Sequence, residues 1–370
     1  MKRLSVLIKP ASSLCNIRCK YCFYADVSSM REVSSFGRMD QMTARKLIDQ
    51  VSEDLEAGDE MIFAFQGGEP TLAGISFFRF FVQYVQEKLL QVRVQYTIQT
   101  NGLLLDKEWC RFFKENQFLV GLSIDGGAHF HNLNRVNTKG MGTYEQVARA
   151  KRLLERQKVD FNILCVLTKQ VAKNPQRVFK FLLEEKIEFI QFIPCLAELD
   201  SDQPSDYALL PEQFASFYKQ FFSLWKKELQ RGHFISVNLF DNLFQQMLTG
   251  RPSACGMNGQ CQPHFVIEAN GNVYPCDFFV LDEYCLGNIL EEKISDMFSK
   301  TELRCFIQAE ELPDYCQKCE FVNFCHGGCK RMRYSMYLNK DHSYCGYRDF
   351  LQVKGSEIYS EALKLAGEYY

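Results

Sequence analysis

Cys15, Cys19 and Cys22 lie in the run Ala11-Ser-Ser-Leu-Cys-Asn-Ile-Arg-Cys-Lys-Tyr-Cys-Phe-Tyr24, a C-x3-C-x2-C spacing followed at once by an aromatic residue. Three thiolates this close in sequence can wrap three corners of one cubane iron–sulfur cluster. Such clusters usually take four Cys ligands, so a loop with three leaves one iron open to a substrate or cofactor. For the spacing alone, a zinc site short of a ligand or three incidental buried thiols are the alternatives. Tyr21, Phe23 and the turn Gly67-Gly-Glu-Pro70 strengthen the cluster reading. Gly67 and Gly68 allow backbone to approach a ligand without Cβ interference, and Glu69 can order the turn.

A second group of cysteines lies late in the chain. Cys316-x2-Cys319-x5-Cys325-x3-Cys329 is followed by Cys345, and Cys255-x5-Cys261 and Cys276 precede it. These eight suffice for two complete sites of four thiolates each. Zinc ribbons are the alternative for the pairwise spacings; a nearby cluster that needs electrons favours iron–sulfur. Cys110, Cys165, Cys195, Cys285 and Cys305 are scattered, and most of them read as small apolar fillers. Asp277 directly follows Cys276 and is the candidate for acid–base work, with a turn-capping role as the plainer reading. The histidines show no metal-ligand spacing.

Sixteen cysteines in 370 residues do not describe a small secreted disulfide scaffold. In a reducing compartment, clustered cysteines point to metal or redox chemistry. A formal charge of −2, with no block of Lys or Arg, argues against nucleic acid as a partner. No apolar run approaches the ~18 residues of a membrane helix. The start Met1-Lys-Arg-Leu-Ser-Val-Leu-Ile-Lys9-Pro10 imitates a signal peptide only briefly, because Lys9 and Pro10 break it. The expectation is a mature cytoplasmic N-terminus.

Six short, mostly apolar segments read as strands: Leu4–Lys9, Met61–Gln66, Arg93–Gln99, Phe118–Asp125, Val159–Val166 and Glu188–Pro194. Strands buried on both faces have this texture. Amphipathic helices lie between them. Ile75, Phe78, Phe81, Val82, Val85 and Leu89 form one stripe, and Thr143-Tyr-Glu-Gln146 has the capping-box form before another helix. Six strand–helix repeats imply a parallel sheet, open or partly closed, with ligands at the carboxyl ends of its strands. Both the Cys15–Cys22 loop and the Gly67–Pro70 turn follow predicted strands, which puts them at the same end. Past residue 250, Asn270-Gly271 predicts a hairpin turn, the Cys-dense segment a small metal-held domain, and Gln352–Tyr370 a terminal helix.

In several blocks the chain resembles the anaerobic sulfatase-maturating enzymes, radical S-adenosylmethionine proteins with a C-terminal SPASM domain. These blocks are Ile8-Lys-Pro-Ala-Ser-Ser13, Phe65-Gln-Gly-Gly-Glu-Pro-Thr-Leu-Ala-Gly74, Gln99-Thr-Asn-Gly102, Val120-Gly-Leu-Ser-Ile-Asp-Gly126 and His131-Asn-Leu-Asn-Arg135. They continue in Cys255-Gly-Met-Asn-Gly259, Val273-Tyr-Pro-Cys-Asp-Phe278 and Gly327-Gly-Cys-Lys330. The resemblance implies an α/β fold, an incomplete (β/α)6 TIM-type barrel with a C-terminal, Cys-rich SPASM domain binding two iron–sulfur clusters. The expected division is 1–235 for the barrel and 236–370 for the SPASM domain with its terminal helix.

The resemblance also implies S-adenosyl-L-methionine and three 4Fe–4S clusters as cofactors. Cys15, Cys19 and Cys22 would hold the first cluster. Cys255, Cys261, Cys276 and Cys329 would hold one auxiliary cluster, and Cys316, Cys319, Cys325 and Cys345 the other. Tyr21, Gly68, Ser123, Arg135 and Leu196 match the family's cofactor-contact positions, and the Arg135 fork suits a carboxylate or ribose hydroxyls. The implied chemistry is reductive cleavage of the cofactor to a 5′-deoxyadenosyl radical. This radical takes hydrogen from Cβ of a Cys or Ser in an unfolded sulfatase polypeptide, while Asp277 removes the thiol or hydroxyl proton. An auxiliary cluster receives the second electron, and the product is Cα-formylglycine. The implied partners are that polypeptide and an electron donor such as a flavodoxin or ferredoxin, without nucleic acid or membrane. Two other readings stay open. One is a SPASM enzyme that forms thioethers or crosslinks on a ribosomal peptide, often with an extra N-terminal domain for which a first strand near Leu4 leaves no room. The other is a zinc-stabilised binding protein.

Overall fold

Strand β1 (Arg3–Ile8) buries Val6, Leu7 and Ile8 completely or nearly so. In the computed structural model, which describes residues 1–200, 205–252 and 254–368, it is followed by β2 (Ile17–Cys19), α1 (Phe23–Ser29) and α2 (Gln41–Glu53). The chain continues through β3 (Glu60–Phe65), α3 (Ile75–Lys88), β4 (Arg93–Thr100), α4 (Lys107–Glu115) and β5 (Phe118–Ser123). Next come α5 (Ala128–Asn134), β6 (Arg135–Asn137), α6 (Tyr144–Gln157), β7 (Phe161–Leu167), α7 (Lys169–Ala172) and α8 (Pro175–Glu184). Then follow β8 (Phe189–Pro194), α9 (Pro211–Leu229), β9 (Ser236–Val237) and α10 (Asn238–Thr249). Three short strands, β10 (Val266–Ile267), β11 (Asn272–Tyr274) and β12 (Gly287–Asn288), precede the cysteine-rich segment and a final helix, Gly346–Glu368. All six predicted strands are present within one or two residues. The last two residues of the expected terminal helix lie outside the described residues.

Packing divides the chain into two compact units that do not follow chain order. The first is Met1–Ser123, Asn134–Phe161 and Pro263–Gln308; the second is Ile124–Leu133, Asn162–Gln262 and Ala309–Tyr370. In the first unit the strand order is β12-β11-β10-β1-β3-β4-β5. The pairs β10–β1, β1–β3, β3–β4 and β4–β5 are parallel, with Leu7 opposite Ala64 and Ala64 opposite Thr97. Parallel strands need a crossover, and α3 supplies one. Its Phe78 ring lies 4.9 Å from Phe65, and its Phe81 ring 5.1 Å from Phe63. Emptying one such fully buried Phe position would cost about 3–5 kcal/mol. The Asn270-Gly271 turn closes the antiparallel pair β10–β11, with Gly271 at φ +89° and its N–H donating to Glu268 O at 2.9 Å.

In the second unit β7, β8 and β9 run parallel. Helix α9 turns Phe214, Phe217, Phe221 and Trp225 into its core. The final helix packs along α9, with Lys219 2.9 Å from Asp349 and Lys226 2.9 Å from Glu357. Cys110, Cys165 and Cys195 are buried as fillers, whereas Cys285 is half-buried and Cys305 exposed. The capping box at α6 does not form: the buried Thr143 hydroxyl donates to Arg135 O at 2.9 Å instead, tying the helix start to β6. Among the described residues, no helix is long and apolar enough to cross a membrane.

Candidate active site and cluster sites

Parallel neighbours β1 and β3 end side by side, so the loops leaving their carboxyl ends must share space. Gly68 N donates to Ser12 O at 2.9 Å and Glu69 N to Leu14 O at 2.7 Å. A Cβ on Gly68 would stand 2.2 Å from Leu14 O, and one on Gly67 2.7 Å from Ser12 O, with Gly67 at φ +113°. The glycines therefore serve the chain's own close approach: the turn is the platform on which the loop leading to Cys15 rests. Glu69, 1% exposed, accepts from Thr71 N at 3.1 Å, Thr71 Oγ1 at 2.6 Å, Thr100 Oγ1 at 2.7 Å and Asn101 N at 2.8 Å. It orders the turn as expected and also pins it to the end of β4. Burial outweighs these hydrogen bonds and pushes its carboxyl above the ordinary value.

Three different backbone contexts present the first three thiols. Cys15 sits in the loop, Cys19 ends β2 opposite Arg135 of β6, and Cys22 caps α1, its N–H donating to Cys19 O at 3.2 Å. Burial, above all, pushes the Cys15 thiol up to about 11, with Glu69 and Cys22 adding to it. A buried thiol of that kind becomes a thiolate on a cationic metal centre and otherwise stays protonated. The Asn101 side-chain amide lies 3.8 Å from Cys15 Sγ, and Arg135 Nη1 lies 4.0 Å from Cys19 Sγ. Arg135 is 7% exposed, with its guanidinium carbon 5.6 Å from the centre of the Tyr21 ring. The structure thus brings Tyr21, Gly68 and Arg135 to the cysteine loop. Ser123, at the end of β5, belongs to the same unit, and Leu196, two residues past β8, to the other.

Asp277 opens a single 3-10 turn directly after Cys276. Tyr24, on the first turn of α1, donates its hydroxyl to Asp277 Oδ2 at 2.6 Å and lies 3.2 Å from the Gln66 side-chain amide. Lys9 Nζ stands 3.1 Å from Asp277 Oδ1 and 4.6 Å from the centre of the Tyr24 ring. Burial first, then the Asp277 carboxylate, hold the Tyr24 phenol well above its usual value, so it remains a donor at neutral pH. His264 also feels the Asp277 charge, but burial outweighs it and keeps the imidazole below its usual value. Lys9, Tyr24, Gln66 and Asn101 escaped sequence reasoning. Their signal was there: Lys9, Gln66 and Asn101 are polar residues just past the ends of otherwise buried parallel strands, where ligands gather.

In the second unit Cys316, Cys319, Cys325 and Cys345 line one narrow cavity, closed over by Tyr337 and Tyr347. Burial pushes the Cys325 thiol up to about 12 and the Cys345 thiol up to about 11, and charge on Cys316 and Cys319 adds to both. Four cysteines around a shared opening, three of them buried, fit a polynuclear iron–sulfur centre, whose cations would stabilise them all as thiolates. Gly256, at φ +77°, has no room for a Cβ, which would lie 2.6 Å from Cys329 Cβ. Charge on Cys255 and Cys329 acts on Cys261. Cys329 therefore turns away from its sequence neighbour Cys325 toward the Cys255–Cys261 loop. Gly328, at φ +68° between them, makes that reversal possible because a Cβ there would strike the Tyr337 ring. Cys276, the fourth cysteine of that expected set, belongs to the first unit.

Residues 10–182 match the radical SAM superfamily, and residues 255–320 match SPASM, an iron–sulfur cluster-binding domain. The chain accordingly has the radical SAM TIM-type α/β fold with a C-terminal SPASM domain. It is 40% identical over 361 residues to a cysteine-type anaerobic sulfatase-maturating enzyme of Clostridium perfringens, covering 95% of this chain and 96% of the relative. A cysteine-type enzyme of Clostridium novyi is 39% identical over 372 residues, covering 99% of each. A serine-type enzyme of Bacteroides thetaiotaomicron is 32% identical over 352 residues, covering 90% of this chain and 84% of the relative. The chain belongs to the anaerobic sulfatase-maturating enzymes. Among solved structures, native anSMEcpe with bound AdoMet superposes with a TM-score of 0.89 at 39% identity, covering 97% of this chain and 99% of that one. The same enzyme with bound AdoMet and Kp18Cys peptide gives 0.89 at 38% identity, covering 98% and 99%. SuiB of Streptococcus suis, bound to S-adenosylmethionine, shares the fold at a TM-score of 0.64 and 16% identity, covering 93% of this chain and 78% of that one.

Proposed function

We propose that this protein oxidises a cysteine side chain in an unfolded sulfatase polypeptide to Cα-formylglycine without oxygen. The observation that carries this reading is the Asp277 carboxylate held between Lys9 and Tyr24, one hydrogen bond from the helix that begins at Cys22. The higher identity to the cysteine-type relatives supports Cys over Ser as the substrate residue.

AdoMet and three 4Fe–4S clusters, when bound, supply a radical that takes hydrogen from the substrate Cβ and an acceptor for the remaining electron. Cys15, Cys19 and Cys22 are assigned to the first cluster. Cys255, Cys261, Cys276 and Cys329 are assigned to one auxiliary cluster, and Cys316, Cys319, Cys325 and Cys345 to the other. Tyr21, Gly68, Ser123, Arg135 and Leu196 are assigned to AdoMet. Asp277 accepts the substrate thiol proton at one carboxylate oxygen. Tyr24 donates to the other and fixes the carboxylate's orientation, and Lys9 places a cation against it. Loss of one hydrogen atom, one proton and one electron turns CH2–SH into a thioaldehyde, and water then replaces sulfur to leave the aldehyde and hydrogen sulfide. The division 1–235 and 236–370, a cytoplasmic location, and an electron donor of the flavodoxin or ferredoxin class complete the proposal.

The test is anaerobic incubation of the reconstituted protein with AdoMet, dithionite and a Cys-type sulfatase peptide, read by mass. Conversion of the cysteine to an aldehyde is expected. Unchanged peptide beside vigorous 5′-deoxyadenosine formation would reject the substrate.

A further inference from the structure

Apart from these sites, the first unit carries a groove of about 510 Å³ between the turn after β4 and helix α6. Arg149, Arg152 and Arg156 line it. At i, i+3 and i+7 they form one stripe along the helix, and all three are exposed. None of them has an acidic partner among the described residues. The groove's carboxylate, Glu155, is already taken by Lys151 at 2.8 Å. Acidic residues outnumber basic ones in the chain, 45 to 43, so this stripe is a local feature and no reflection of overall charge.

The other wall of the groove is Gly102 and Leu103. Gly102 has φ +78°, and a Cβ there would stand 2.6 Å from Leu122 Cδ1 and 3.2 Å from Ala150 Cβ of α6. Its bareness lets the turn lie directly against the arginine-bearing helix. The preceding residue is Asn101, whose amide lies 3.8 Å from Cys15 Sγ. The residue whose side chain touches the cysteine loop is therefore the immediate chain neighbour of the groove's wall.

We propose that Arg149, Arg152 and Arg156 dock the protein that delivers the electron to the Cys15–Cys19–Cys22 site, a small acidic one-electron carrier with carboxylates around its redox centre. The inference rests on the reading of those cysteines under Proposed function. In the step it serves, the donor is oxidised by one electron and the cluster is reduced by one, with no bond or proton exchanged. Guanidinium groups at a rim raise the association rate of an acidic partner, and salt screens the effect. Glu carboxylates would repel it.

The probe is reduced flavodoxin, with dithionite as a charge-independent control and 5′-deoxyadenosine formation as the readout, which needs electrons but no particular peptide. The triple variant Arg149→Gln, Arg152→Gln and Arg156→Gln is expected to raise the apparent KM for flavodoxin on the order of tenfold at low salt. It should also flatten the salt dependence, leave the dithionite rate unchanged, and be rescued by Lys at the three positions. Binding of flavodoxin to the anchored protein should weaken in parallel. Unchanged flavodoxin KM and salt dependence would overturn the proposal. So would an equal fall with dithionite, or a raised KM for the sulfatase peptide alone. Wild-type protein that makes no 5′-deoxyadenosine with either reductant would instead sink the functional reading, and loss or retention of flavodoxin binding in the triple variant would still decide the docking surface.

Discussion

Asp277 illustrates how much a single carboxylate depends on its neighbours. Its partners Lys9 and Tyr24 are distant in sequence yet lie 3.1 and 2.6 Å away. Asp277→Asn keeps the shape but cannot accept the substrate proton as a base. Peptide conversion is expected to fall by about 10²-fold or more, with iron content and uncoupled 5′-deoxyadenosine formation retained. Wild-type conversion in this variant would remove Asp277 from the reaction. Lys9 is a different case, since its side chain is 4% exposed and that of Asp277 17%. Lys9→Met leaves the carboxylate without its cation and is expected to destabilise the protein by about 3 kcal/mol, measured by denaturant unfolding. It should also slow conversion more than Lys9→Arg does.

Among elements, the turn after β3 governs the cysteine loop after β1. Gly68→Ala sets a Cβ against the Leu14 carbonyl, and backbone cannot move aside cheaply. A loss of about 3 kcal/mol is expected, with iron lost from the N-terminal site, read by metal analysis and thermal unfolding; an unchanged melting temperature would contradict the packing argument. Glu69→Gln tests the same platform chemically. An amide keeps one acceptor oxygen but turns a donor toward groups that themselves donate, including Asn101 N–H. This buried mismatch should cost about 1–3 kcal/mol. Residue spacing had shown both loops at the carboxyl ends of strands. It had not shown that one loop is the floor of the other, because register between β1 and β3 sets that contact.

For the whole molecule, the eleven patterned cysteines divide between two packed units. Removing one ligand from the Cys316–Cys345 cavity, as in Cys345→Ala, is expected to lower iron from about twelve to about eight per chain. It should abolish formylglycine formation while reductive cleavage of AdoMet persists, which 5′-deoxyadenosine release would report. Full iron content in the variant would exclude Cys345 as a ligand. The packed units also cut across the simple order of barrel followed by cysteine-rich domain, because Pro263–Gln308 joins the N-terminal strands through β10 beside β1.

Local information was enough for the six parallel strands, the aromatic stripe of α3, the Asn270-Gly271 turn and the three-thiol loop. Each follows from periodicity, turn chemistry or ligand spacing within about a dozen residues. Residue spacing left open, and the tertiary structure decided, that Cys329 leaves Cys325 for the Cys255–Cys261 loop, as the family resemblance implied, that Thr143 ties to β6 rather than capping its own helix, and that Lys9 and Tyr24 hold Asp277. Those outcomes depend on which distant backbone segments are brought within van der Waals reach. Glycines at 68, 256 and 328 permit that reach, and its energy comes from burial and hydrogen bonding summed over the fold, which no local pattern contains.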